Sequence, residues 1–129
     1  VCNNRTTDVT GWAREITQGA GVNMVFDHVG TALFGASLFA IGIHGRLVNC
    51  GNASGDEATI PSLGYLFHSG IKILGSDPYG PDEMGPLWET FCAQDFEVII
   101  DSEFPLEAAA GAQDKMLASD FFGKIVLRP

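Results

Sequence analysis

Three short stretches concentrate the residues that could do chemistry: DHVG (Asp27 to Gly30), CGNASG (Cys50 to Gly55) and GSDPYG (Gly75 to Gly80). Each combines glycine with polar or nucleophilic side chains. Glycine lets backbone amides approach a flat or phosphorylated ligand closely, and it equally serves ordinary turns. For a single glycine the turn is the better reading, whereas three glycine-bearing ends along one sheet edge describe a binding crevice. Other groups carry less. His28, His44 and His68 stand alone with no acid at a telling spacing, so each is expected on the surface or in a loop, with His28 the best placed as a base. Ser54 lies in Gly-Asn-Ala-Ser-Gly, but a nucleophile elbow needs glycine where Asn52 stands. Asp101, Glu103 and Glu107 read as a solvated acidic face or as charge at a helix amino terminus.

The stretch GAGVNMVFDHVG, Gly19 to Gly30, holds a Gly-x-Gly and a strand ending in an acid. A phosphate-binding fingerprint needs its glycines after a strand and opening a helix. Here they follow a helical pattern and precede a strand, and the sixth position is Met24. They read as a helix stop and a tight turn, and Asp27 as a residue that caps the next helix or bonds loop backbone.

The elements that position these stretches follow from hydrophobic spacing. Val9, Trp12, Ala13 and Ile16 mark an amphipathic helix from about Thr6, stopped at Gly19. Val22 to Phe26 is a short buried strand. Ala32 to Ile41 is helical, Gly42 and Gly45 bracket a turn, and Arg46 to Cys50 is the second strand. Ile60-Pro61-Ser62 opens a short helix through about Ser69, and Ile71 to Leu74 is the third strand. Beyond the turn-rich SDPYGPDEMGP come a helix around Leu87 to Ala93, a strand at Val98 to Ile100, a helix at Leu106 to Leu117 and a strand at Lys124 to Leu127. Strands separated by helices of this length imply parallel pairing in an α/β fold.

The chain has 129 residues, 46% hydrophobic and 18% charged, enough apolar material for one core. With 16 acidic against 7 basic residues, and the basic ones scattered, it offers no stripe for nucleic acid or an anionic membrane surface. Polar residues interrupt every apolar run before the roughly 20 needed to span a bilayer. Cys2, Cys50 and Cys92 fit neither a metal knuckle nor a disulfide framework, so no metal site, reduced thiols and a cytoplasmic location are expected. The amino terminus lacks both a signal-peptide pattern and an initiator Met, as expected of a piece of a longer chain.

The runs VNMVFDHVGTALFGASLFAIGIHGRLVNCGNASG, LFHSGIKILGS and DSEFPLEAAAGAQDKMLASDFFGKIVLRP resemble, in order, the medium-chain dehydrogenase/reductase superfamily, and within it the zinc-independent quinone oxidoreductase branch. The resemblance implies the carboxyl-terminal half of a Rossmann-type parallel sheet of order 3-2-1-4-5-6, with Val22 to Phe26, Arg46 to Cys50 and Ile71 to Leu74 as its fourth to sixth strands. Residues 1–92 would be a partial nucleotide-binding domain. Residues 93–129 would be a β-α-β segment that in the family returns to a GroES-like catalytic domain. Implied with it are an NADPH cofactor, NADH being possible, and a quinone, enone or related carbonyl substrate. The nicotinamide side would be met by Val29, by Cys50, Gly51, Asn52 and Ala53, and by Ser76, Asp77 and Pro78. No catalytic proton donor stands out. The family's sixth strand pairs across a homodimer, here Ile71 to Leu74. The alternatives are a non-catalytic half-Rossmann dimerisation module and, with little support, a hydrolase using Ser54.

Overall fold

The computed structural model describes residues 1–76 and 80–129. They fall into two compact units, Val1–Tyr79 and Gly80–Pro129. In the first unit, helix α1 (Val9–Ile16) starts where Asp8 accepts a hydrogen bond from the Thr10 amide at 3.1 Å, satisfying one of the free donors of the first turn. It packs against α2 (Phe34–Ala40). Strands β1 (Val22–Asp27), β2 (Ile41–Asn49) and β3 (Lys72–Gly75) form a parallel sheet in that order, joined through α2 and through α3 (Leu63–His68). Ser62 opens α3 by accepting from the Tyr65 amide at 3.0 Å.

The core lies on one face of this sheet. Leu38, Ile41, Leu47 and Ile71 are buried together, with Val22, Val25, Phe34, Tyr65 and Leu66 packed around them. Val25, Leu47 and Ile73 stand side by side in the register, Leu47 buried, Val25 half-buried and Ile73 exposed at the sheet edge. Met24, Phe26 and Leu74 alternate with that row and are exposed.

Strand β2 begins five residues before the expected Arg46. Val22 pairs with Ile41 and Met24 with Arg46, so a two-residue step on β1 faces a five-residue step on β2. The extra residues bulge through His44, whose φ of +60° is left-handed and whose amide donates to Ser69 O at 2.7 Å. The expected turn at Gly42 to Gly45 is thus a bulge within the strand. Arg14 ties this region together. Its guanidinium donates to Phe39 O, Ile41 O, Gly19 O and the Tyr65 hydroxyl, and the hydroxyl donates in turn to Ile41 O.

The second unit contains α4 (Met84–Ala93), β4 (Ile100–Pro105), a 3₁₀ turn at Leu106–Ala108, α5 (Ala109–Leu117) and β5 (Lys124–Arg128), with β4 and β5 parallel. The strand expected at Val98 to Ile100 lies instead at Ile100–Pro105, paired in parallel with β5, and there Asp101 and Glu103 find cations. Lys115 bonds Asp101 and Arg128 bonds Glu103. These bonds hold both carboxyls below their ordinary pKa, with the Phe122 amide also donating to Asp101. A depressed folded-state pKa contributes stability that is present above the unfolded carboxylate range and lost as pH falls through the folded value. Acid titration of β4–β5 amide signals is expected to show loosening that begins as pH falls into the usual carboxylate range and continues below it, down to the depressed folded values, and D101N with E103Q should flatten that response. Both pairs are solvent-accessible, so the effect should be modest and screened by salt. No described helix is long and apolar enough to cross a membrane.

Candidate functional site

The three strands of the first sheet finish level, with Asp27, Asn49 and Gly75 paired across it. Their loops therefore leave from one edge. Between them lies an open groove of about 370 Å³, within the roughly 300–1,000 Å³ typical of small-molecule sites. Gly30, Thr31 and Phe34 form one wall. Asn49, Gly51, Asn52, Gly55, Asp56 and Ala58 form the other, and Ile73, Leu74 and Gly75 lie at the β3 end. None of these lining residues is cationic.

The loop after β1 is shaped by Asp27, which is 3% exposed. Its Oδ1 accepts from the amides of Val29 (2.8 Å) and Gly30 (3.3 Å), a local turn that short acidic side chains favour. Its Oδ2 is buried with no hydrogen-bond partner among the described residues. Gly30 has φ +79°, and a Cβ there would stand 2.7 Å from Gly55 O and 3.0 Å from Asn52 Cα. Only glycine allows the two loops to approach this closely.

The two loops are joined by backbone and side-chain bonds. The amides of Ala53 and Ser54 donate to His28 O (3.1 Å) and Val29 O (2.8 Å), and Thr31 donates to Gly55 O at 3.4 Å. Thr31 Oγ1 donates to Glu57 O at 2.5 Å. Ser54 Oγ donates to Val29 O at 2.7 Å and accepts from the Ala32 amide at 2.9 Å. Among the described residues that hydroxyl bonds only loop backbone and no base, so its bonds give a serine nucleophile no support.

Of the residues singled out in the sequence, Gly51 and Asn52 line the groove, with Asn52 Nδ2 donating to Asp56 at 3.0 Å. Gly51 lies against His28, where an added Cβ would meet His28 O at 3.2 Å. Val29 and Ala53 take part in the loop junction and do not line the groove. The exposed Cys50 donates its amide to Asp27 O at 2.8 Å and its thiol to the same oxygen at 3.5 Å. The exposed Ser76 donates its amide to Asn49 O at 2.8 Å. Asp77 and Pro78 lie outside the described residues.

The sequence reading did not select Thr31, Asn49 and Asp56. Asn49 Nδ2 donates to Gly51 O at 2.9 Å and so holds the start of the second loop. Nothing in its spacing signals this. The Asp-x-x-Gly of Asp27 to Gly30 is a recognisable turn signal. Gly19 and Gly21, with φ of +88° and +80°, form the expected turn between α1 and β1.

A family model described as "Zinc-binding dehydrogenase" matches residues 1–127. The chain belongs to this family. Its α/β architecture with parallel strands is that of the dehydrogenase Rossmann domain's carboxyl-terminal part. Among relatives, it is 28% identical over 128 residues to a probable quinone oxidoreductase of Schizosaccharomyces pombe, covering 93% of this chain and 39% of that protein. Among solved structures, the alcohol dehydrogenase of the archaeon Aeropyrum pernix superposes with a TM-score of 0.86 at 25% identity, covering 100% of this chain and 36% of that one. A mycobacterial protein complexed with NADPH superposes at 0.75 with 26% identity, covering 94% of this chain and 40% of that one. The chain thus spans about two fifths of the length of these proteins.

The family's description names zinc. Among the described residues no three of His, Cys, Asp and Glu converge to hold a metal ion. These residues do not fit a zinc site, which needs three or four such ligands around one point.

Proposed function

We propose that this chain supplies the nicotinamide side of the cofactor site of an NAD(P)H-dependent oxidoreductase acting on a quinone, enone or related carbonyl compound. The observation that carries the reading is the groove at the level ends of three parallel strands, where ligands of open α/β sheets bind, together with its lack of cations. A pyrophosphate calls for positive charge or free amides at a helix amino terminus; no described lining residue is cationic, and the amides from Thr31 to Phe34 at the start of α2 are taken by Gly55 O, Ser54 Oγ and Gly30 O. Amide, hydroxyl and close-packed glycine walls suit a carboxamide ring and its ribose. The NADPH of the mycobacterial neighbour and the quinone oxidoreductase name of the yeast relative support the assignment.

In this reading Gly51 and Asn52 meet the ligand from the groove wall. Val29, Cys50 and Ala53 contribute backbone at the loop junction, and Ser76, Asp77 and Pro78 follow the third strand. When bound, the cofactor supplies a hydride to the acceptor. The chain's part is to hold the ring in one orientation and to keep the reacting face from water, a role in which geometry outweighs any single side chain. Strand β3, at the end of the sheet order, is the edge through which a homodimer would pair.

Ligand halves test the reading. Saturation-transfer NMR on this chain should show weak, saturable binding of reduced nicotinamide mononucleotide and of NADPH, and no binding of adenosine monophosphate. Adenosine monophosphate binding as well as the nicotinamide half would overturn it.

A further inference from the structure

We propose that Ser54 is a positioning residue whose hydroxyl sets the shape of the groove by fixing the Gly30–Thr31 wall from both sides; this rests on the reading that the groove takes the nicotinamide end. One hydroxyl makes two bonds that flank this wall. It donates to Val29 O, just before Gly30, and accepts from the Ala32 amide, just after Thr31. Gly30 and Thr31 line the groove between these two attachment points. Val29 O is also bonded by the Ser54 backbone amide at 2.8 Å, so residue 54 holds that carbonyl twice.

The chemistry is specific to a small hydroxyl side chain. The Val29 carbonyl needs a donor and the Ala32 amide, close before α2, needs an acceptor, and a hydroxyl is both at once. Alanine at 54 would keep the backbone bonds of Ala53, Ser54 and Thr31 while freeing the Ala32 amide. The groove wall would then lose its attachment at Ala32 and one of its two bonds at Val29 O, keeping the Ser54 amide bond and the two bonds of Thr31 to Gly55 O and Glu57 O. Threonine at 54 would restore both bonds.

Two readouts on the full chain separate this positioning role from the ligand assignment. Amide hydrogen exchange is expected to show Ala32 exchanging roughly tenfold faster in Ser54→Ala, with Leu47 unchanged and Ser54→Thr close to the parent. Titration with reduced nicotinamide mononucleotide is expected to show an affinity loss of about tenfold in Ser54→Ala, recovered in Ser54→Thr. Unchanged Ala32 exchange in Ser54→Ala overturns the proposal, as does unchanged affinity alongside faster exchange. If the parent chain shows no saturable binding, the ligand assignment fails and the exchange of Ala32 alone decides whether Ser54 holds the wall.

Discussion

Replacing Arg14 with Met is expected to cost the first unit about 3 kcal/mol, out of the 5–15 kcal/mol by which domains are typically stable. The guanidinium donates to Phe39 O at 2.9 and 3.3 Å, to Ile41 O at 2.8 Å and to Gly19 O at 2.9 Å, besides the Tyr65 hydroxyl. Phe39 O and Ile41 O lie at the carboxyl end of α2, where helix carbonyls lack an intrahelical partner, and Gly19 O lies in the turn after α1, so one cation ties that turn to the end of α2. Methionine keeps most of the apolar stem and removes every donor. Ile41 O would keep the Tyr65 hydroxyl at 2.6 Å, while Phe39 O and Gly19 O would lose these side-chain donors. Lysine preserves the charge but cannot span carbonyls in three directions, so Arg14→Lys should recover less than half of the loss. Urea unfolding should show a lower midpoint with an unchanged slope. Arg14→Met melting with the parent would show that these bonds are exchanged for water at no cost.

Gly30→Ala is expected to be the most damaging substitution at the groove. The left-handed φ of +79° costs a non-glycine residue roughly 1–2 kcal/mol. The new Cβ would also press on Gly55 O and Asn52 Cα, both backbone atoms, so the loops themselves must part. The total should reach about 2–4 kcal/mol, with loss of the bonds joining the two loops. Gly19→Ala is the control, because Gly19 has a comparable φ of +88° and nothing within 4 Å of its added Cβ. It should carry the conformational cost alone. Equal losses at the two positions would mean that the close approach of the loops at Gly30 is not under tension.

These contacts mark the boundary of what the sequence discloses. Helix α1 is legible because Val9, Trp12, Ala13 and Ile16 recur at helical spacing, and the strands of the first sheet because short apolar runs are bounded by Gly21 and Asp27, by Gly51 and by Gly75. That three such ends must share an edge follows from parallel pairing. Period says nothing of which distant groups Arg14 reaches, since apart from Gly19 its partners lie 25 to 51 residues away. The same holds for Ser54, which resembles a nucleophile in its local motif and whose role is set by Val29 and Ala32 in another loop. Asp101 and Glu103 read as a solvated face because Lys115 and Arg128 approach them only through the fold. The bulge at His44 was hidden for a related reason: glycines that mark a turn also permit a strand to swell and continue.

The assignment of the groove is tested most directly by titrating the chain with NADPH while following every backbone amide signal. The expected result is weak, millimolar-range binding, with saturable shifts at Gly30, Gly51, Asn52 and Gly75 and none in residues 100–128. The chain's single Gly-x-Gly stands before a strand, so no pyrophosphate loop adds affinity. Shifts centred away from the groove, or micromolar affinity, would contradict the assignment.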